Sequence, residues 1–257
     1  MKKNKFQGQE VSIIVDGQEI KNTESEKLLG VVINSNMTWK DHLYGEQWRT
    51  DASMGLISQL SQRVGLIRKI SQVASKQKLK MIAGGLFYSK LSYCLPLFIN
   101  TWGLEAYNDT QVRFTCYTKE DNRKLQVLQN QVARLLINKP LERHLPTADL
   151  LKLSGDLSIH QMGALRTVNL VKKVLLHQKP CYLAKRLGQE TNVTRVTRTG
   201  TKLHQESSHL SIVKEGFVFR GKSIFNKLPE ELKIEENLKK FKKVSRKWIL
   251  ENVSIKP

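Results

Sequence analysis

Apolar residues recur along this chain at spacings that separate a short extended start from a long helical remainder. Val11 to Val15 and Leu28 to Ile33 are apolar and β-branched, with Asp16-Gly17 between them as a turn signal, so residues 10–33 read as β structure. Asn34-Ser35-Asn36 closes that segment, and Asn36 or Thr38 is placed to cap a helix beginning near Trp39. Met54, Ile57, Leu60, Val64 and Ile67 recur at helical steps and share one face, with Arg63, Arg68 and Lys69 elsewhere on the same helix. A second helix is predicted from Ser75 to Leu95, stopping before Pro96 and carrying Lys76, Lys78 and Lys80 in its early turns. Within it, Gly84-Gly85 reads as a point of close packing. A polar, mixed stretch from Tyr107 to Tyr117 reads as a loop. Leu125, Leu128, Val132 and Leu135 then make the stripe of a third helix, with Arg123, Lys124 and Arg134 away from it and Lys139-Pro140 ending it.

The pattern restarts after Pro146. Ala148 to Leu153 reads as a short helix ending at Ser154-Gly155, Ile159 to Leu176 as a longer one, and Tyr182 to Leu187 as one or two turns. Residues from about 189 to 211 are poor in large apolar groups and rich in Thr, Arg and His, a loop long enough to be functional or disordered. Phe217-Val218-Phe219, a short helix to Leu228-Pro229 and a last helix from about Glu235 to Glu251 follow. On that last helix Leu238, Phe241, Val244 and Trp248 share a face, and Lys239, Lys240, Lys242, Lys243, Arg246 and Lys247 line the others. The fold class is mainly α (α+β): a small N-terminal β element, a helical bundle and an α-rich C-terminal extension.

Charge changes the picture most. The 257 residues carry 43 Lys+Arg against 23 Asp+Glu, a net +20, an excess that a polyanionic partner would relieve. Nucleic acid is the expected partner; an acidic membrane surface, a ribosome-like assembly and plain solubility charge are the alternatives. Apolar residues at 40% are too many for wholesale disorder. No run approaches the about 18 apolar residues of a membrane span, the longest, Leu91 to Trp102, being broken by Pro96. The basic N-terminus leads into Gln, Gly and Glu, so no secretory signal is expected. Cys94, Cys116 and Cys181 stand far apart, which fits reduced thiols in an intracellular protein, nuclear or cytoplasmic. Neither a metal site nor a cofactor is expected.

Paired carboxylates for two-metal chemistry are missing. Two metal ions need two carboxylates held close together, and the aspartates at 16, 41, 51, 109, 121, 149 and 156 stand singly in turns, loops or helix starts. Asp41-His42 reads as a helix-dipole placement rather than an acid–base pair. His160 and His177 read as core or surface histidines. No nucleophile elbow, phosphate-cradling Gly-rich loop or His-Glu-x-x-His run occurs. By its own residues the chain is not an enzyme.

Three stretches carry a family likeness. The first is Lys27-Leu28-Leu29-Gly30-Val31-Val32-Ile33 continued by Met37-Thr38-Trp39-Lys40-Asp41-His42-Leu43. The second is Leu91-Ser92-Tyr93-Cys94-Leu95-Pro96 to Trp102-Gly103, then Leu125-Gln126-Val127-Leu128-Gln129 and Arg134. The third is Phe219-Arg220-Gly221-Lys222-Ser223-Ile224-Phe225-Asn226-Lys227-Leu228-Pro229, with Phe241-Lys242 after it. In order and spread over nearly the whole chain, these resemble the region downstream of the catalytic palm in reverse transcriptases (RNA-directed DNA polymerases) of non-LTR, LINE-type retrotransposons, particularly jockey-like lineages. The resemblance implies terminal palm-like strands over 1–36, a thumb-like helical bundle over 37–140 and a C-terminal helical extension over 141–257. The fingers, most of the palm and the Tyr/Phe-Ala-Asp-Asp motif have no counterpart here, so the likeness does not transfer polymerase activity. Gly30, Trp39, His42, Trp102, Gln129, Arg220, Gly221, Phe225, Asn226, Leu228, Pro229 and Phe241 are then structural motif positions.

A thumb grips phosphates without reading bases, which calls for cations on helix faces with apolar stripes behind them. Arg63, Arg68, Lys69, Lys76, Lys78, Lys80, Arg123, Lys124 and Arg134 fit that description, as do Arg195, Arg198 and Lys202 in the long loop and the six cations from Lys239 to Lys247. For each, an ordinary solvated face is the alternative. Trp39, Trp102, Phe225, Phe241 and Trp248 are candidates for base stacking, although their apolar faces favour core packing. Arg220-Gly221 reads as a turn before a helix, and Asn226 as a cap or turn ahead of Pro229. The expected partners are RNA or a DNA–RNA duplex, bound without sequence preference, and the missing polymerase portion; a membrane and a small-molecule substrate are not expected. A host-recruited or relic basic protein serving as an interaction or structural module is the alternative function.

Overall fold

The structure, a computed structural model, describes residues 12–45, 54–98, 118–137, 145–188, 202–205, 213–214 and 216–253. It is 68% helical and 10% strand, a mainly α protein with a small N-terminal β element.

The β element is two separate antiparallel hairpins. Strand β1 (Ser12–Val15) pairs with β2 (Gln18–Lys21) around Asp16-Gly17, both left-handed at φ 50° and 77°, the backbone of a tight two-residue hairpin turn. Strand β3 (Ser25–Leu28) pairs with β4 (Val31–Asn34) in the same way. The expected strand from Leu28 to Ile33 is therefore broken, because Leu29 and Gly30 turn the chain at φ 49° and 83°. A glycine meets that requirement without cost, whereas a leucine does so only under outside restraint. Here the Tyr93 hydroxyl donates to the Leu29 carbonyl at 2.6 Å.

Helix α1 (Lys40–Tyr44) follows, with neither Asn36 nor Thr38 capping it. Asn34 organises this corner instead: its Oδ1 accepts from Thr38 N at 2.7 Å, and its Nδ2 donates to Thr38 Oγ1 and to Asp41 Oδ2. Helix α2 (Leu56–Ile70) buries Leu56, Leu60, Val64 and Ile67 and leaves Met54 outside its span.

The single helix expected from Ser75 to Leu95 is instead α3 (Lys76–Ala83), a π-helical turn (Gly84–Tyr88), α4 (Ser89–Ser92) and, after a turn at Tyr93-Cys94, α5 (Leu95–Phe98). Leu79, Ala83, Phe87, Leu91 and Leu95 are all buried at steps of four. Four residues exceed the 3.6 of a regular turn, so the apolar face would drift around the helix; one wider turn restores it. Gly84 and Gly85 are not packing points, since a Cβ at either would meet open space.

Helix α6 (Lys119–Ile137) packs across α2, and α7 (Thr147–Ser154) across α6. Helix α8 (Ile159–His177) then runs through the molecule. Its Ile159 belongs to the first core, with Leu43, Leu60, Phe87, Leu95 and Leu125. From Ala164 onward it lines a second core, shared with α9 (Cys181–Gly188), α10 (Phe217–Asn226), α11 (Glu230–Ile234) and α12 (Leu238–Asn252).

Two expectations in this half are corrected. Arg220-Gly221 lies inside α10 rather than in a turn before it. On α12 the buried line is Phe241, Ser245 and Ile249, with Val244 40% exposed. Ser245 is small enough to let the helix sit close, which rotates the inward face by a residue.

At Gly221 the α10 backbone approaches α8 so closely that a Cβ would stand 2.8 Å from Val171 Cγ2. Alanine would gain up to about 1 kcal/mol of helix propensity. The overlap with a fully buried, β-branched neighbour costs roughly 1–3 kcal/mol. Gly221→Ala should therefore lower the urea midpoint; a raised midpoint would show that Val171 gives way.

Candidate nucleic-acid interface

The cations expected to meet phosphate divide into two groups. Arg63 is half-buried, and its Nη1 donates to the Leu86 carbonyl at 2.6 Å, tying α2 to the π turn. Arg123 is closed by a two-point bond to Glu120 at 2.9 and 3.1 Å. Lys124 donates to Tyr44 Oη at 3.2 Å and lies 4.6 Å above that ring. Arg134 is half-buried and already has a partner. On α6, expected to offer a basic face, Arg123, Lys124 and Arg134 thus each have a partner within the protein.

The other group is exposed and, among the described residues, makes no ion pair: Arg68, Lys69, Lys76, Lys78, Lys80, Lys202, Lys239, Lys242, Lys243 and Lys247. Arg68 and Lys69 end α2 and Lys76 begins α3, so one helix corner concentrates five of them with Lys78 and Lys80. Lys76 and Lys78 sit in a first turn that has no acidic residue, at the positive end of the helix dipole, where a cation is unfavourable. Their placement does not serve the stability of α3.

Helix α12 repeats the arrangement. Asn237 caps it, accepting from the backbone of Lys239 and Lys240 at 3.0 and 3.2 Å. Lys240 pairs with Glu235 at 2.6 Å, and Arg246 Nη2 donates to the Gly155 carbonyl at 2.9 Å. Lys239, Lys242, Lys243, Arg246 and Lys247 recur at three- and four-residue steps, opposite Phe241, Ser245 and Ile249. Core burial on one side orients a cationic strip outward on the other.

Lys202 is brought to the end of α10 by Asn226, which does not cap its own helix. Asn226 accepts from Leu203 N and donates to Leu203 O, both at 2.8 Å. Arg195, Arg198 and Trp102 lie outside the described residues.

The motif positions serve as joints. Trp39 packs at ring distances of 6.4 Å from His42 and 5.9 Å from Phe98. Phe225 and Phe241 are buried in the second core and Trp248 packs against it, so none of these rings is presented for stacking. Gln129, fully buried, donates to the Leu157 carbonyl at 2.7 Å and accepts from Gln126. Arg220 donates to the Pro96 and Leu97 carbonyls at 3.1 and 2.9 Å. Leu228 is buried and Pro229 immediately precedes α11.

Lys27, quoted only as the start of the first family stretch, and Lys90 were not among the expected phosphate contacts. Each is a lone cation in its segment, with no local pattern to single it out. Sequence reasoning also passed over Lys172, whose Nζ donates to the Lys233 carbonyl at 2.7 Å beneath the Phe241 ring. Among the described residues no three His, Cys, Asp or Glu side chains gather as a metal-binding group, and no helix is long and apolar enough to cross a membrane. No family model, curated protein or solved structure matches this chain.

The two buried histidines offer no acid–base pair. Burial, then the charge of Lys90, pushes His42 down to about 4, and its Nδ1 takes the Val32 N–H at 3.5 Å. Burial alone pushes His160 down to about 4, and its Nδ1 has no partner. Both must be neutral in the fold, whereas an unfolded chain protonates them near 6.5. Their stability contribution is complete above that value and is lost as pH falls towards 4, at about 1.4 kcal/mol per pH unit for each. The urea midpoint should decline over this window, and His160→Gln should remove part of the slope. An unchanged slope in both His42→Gln and His160→Gln would assign the decline to other groups.

Proposed function

We propose that this chain is a nucleic-acid-binding module, a counterpart of the thumb and C-terminal region of a LINE-type reverse transcriptase, that holds RNA or a DNA–RNA duplex by its phosphates. The observation that carries the reading is the outward strip of α12, in which Lys239, Lys242, Lys243 and Lys247 are exposed without ion pairs. Arg68, Lys69, Lys76, Lys78 and Lys80 add a second cationic surface at the α2–α3 corner.

The family part of the proposal draws support from how the three motif stretches touch. Leu29 of the first accepts from Tyr93 of the second, and Pro96 of the second accepts from Arg220 of the third. Residues distant in sequence, each inside one of the three stretches, thus act on one another.

Backbone-directed binding has a definite signature. Affinity for a labelled RNA–DNA heteroduplex should fall steeply with salt and hardly vary with sequence. Changing Lys239, Lys242, Lys243 and Lys247 to Gln should flatten the log–log salt dependence by roughly 0.9 for each phosphate no longer neutralised. Binding that is absent, or indifferent to salt, would sink the proposal. In the same reading the purified chain extends no primer; nucleotide incorporation by it alone would refute that part.

A second reading, a protein-interaction module, rests on the β1–β2 hairpin. Ile13, Ile14, Val15 and Ile20 are 62%, 74%, 48% and 54% exposed, and a two-stranded hairpin without a core is marginal on its own. A partner retained after nuclease treatment, and released when Ile13 and Ile20 are changed to Thr, would favour this reading.

A further inference from the structure

Lys27, Arg63 and Lys90 come from β3, α2 and α4, and two bonds bring them to one place. Arg63 Nη1 donates to the Leu86 carbonyl, and Lys90 lies four residues beyond Leu86, on the same side of that helix. Tyr93 Oη donates to the Leu29 carbonyl, pinning the β3–β4 turn against the end of α4. Lys27 is the register partner of Val32, so their side chains leave the same face of the hairpin. Lys27 lies two residues before Leu29 and Lys90 three before Tyr93, so the Tyr93–Leu29 bond sets the two lysines near one another.

Lys90 feels the other two charges. Burial, then Arg63 and Lys27, hold the Lys90 ammonium below the usual lysine range. His42 beside them is neutral and adds no charge. Of the nearby carboxylates, Glu26 accepts the Lys27 backbone N–H from the opposite face and Asp41 accepts from Asn34. Among the described residues none of the three cations is ion-paired. Like charges converging without a counter-ion are unfavourable alone and favourable around an anion. Arg63 and Lys90 are half-buried, so little rotamer freedom is given up when an anion arrives.

We propose that Lys27, Arg63 and Lys90 form a preassembled phosphate site at the junction of the β3–β4 hairpin and the helical bundle, taking one phosphodiester of the bound nucleic acid. Its occupant rests on the nucleic-acid reading above; the anion site itself does not. The guanidinium keeps donors beyond the one given to Leu86, and the two ammonium groups close on the remaining phosphate oxygens.

Two measurements on the full chain test this. Lys27→Gln/Lys90→Gln removes two charges while leaving the Arg63–Leu86 bond in place. It should flatten the log–log salt dependence of heteroduplex binding by up to roughly 0.9, the share of the one phosphate the site neutralises. Should the double variant fold poorly, Lys27→Gln alone, at an exposed position, should flatten it in the same direction by a smaller amount. An unaltered dependence overturns the site while the nucleic-acid reading stands. In the second measurement, inorganic pyrophosphate is titrated against the unmodified chain with the Lys90 ε-methylene followed by NMR. A saturable shift, abolished in Lys27→Gln, supports the site even where no heteroduplex binds, an outcome that would remove only the nucleic-acid reading. No shift at Lys90 overturns the proposal.

Discussion

The start of α8 is buried, so its backbone N–H groups depend on partners within the protein. A helix leaves its first N–H groups without intrahelical acceptors, and burying them unpaired is costly. Ser158 and Gln161 satisfy one another in a capping box, with Gln161 N donating to Ser158 Oγ and Ser158 N to Gln161 Oε1. Gln126 of α6 accepts from Ile159 N, and Gln129 donates to the Leu157 carbonyl. Gln161 Nε2 reaches the Val253 carbonyl just past the end of α12. One buried joint thus fixes α6, α8 and the last helix together, and both hydrophobic cores are built outward from it.

Further bonds complete the seam between the cores. Arg220 from α10 takes two carbonyls of α5, Tyr88 of the π turn donates to Asp156 Oδ2 at 2.9 Å, and Arg246 of α12 holds the Gly155 carbonyl. Burial and the Asp156 carboxylate both hold the Tyr88 phenol well above its ordinary range, so it stays a donor. The seam is polar where the cores are apolar. Polar groups demand particular partners, so they set the relation of the two halves more narrowly than greasy contacts do.

That demand explains how the basic residues are shared out. Cations near the seam or between helices are used as donors to carbonyls, as with Arg63, Lys172 and Arg220. Those on faces turned away from both cores, along α12 and at the α2–α3 corner, carry their charge outward and, Lys240 apart, form no ion pair among the described residues. An excess of +20 is tolerable in a compact chain when much of it stands at the surface, where salt and a polyanion can screen it.

Helical periodicity was enough to place α2, α6, α7, α8 and α12 within a few residues, because each buries a stripe that repeats at about 3.6 along its own length. The turn at Asp16-Gly17 and the stop at Gly155 were legible for the same reason, being local backbone chemistry. The break at Leu29-Gly30, the π turn, the inward face of α12 and the course of Arg220-Gly221 were not. Each depends on a neighbour distant in sequence: Tyr93 for the first, the shared first core for the second, α8 for the last two. The abundance of cations was plain from the sequence alone, but their division into joints and free surface was not. A lysine or arginine looks alike in sequence whether it reaches water or a buried carbonyl, and only packing decides which lies within its reach. For the same reason the convergence of Lys27, Arg63 and Lys90 is a property of the tertiary structure, since it follows from where a hairpin turn docks on a helix.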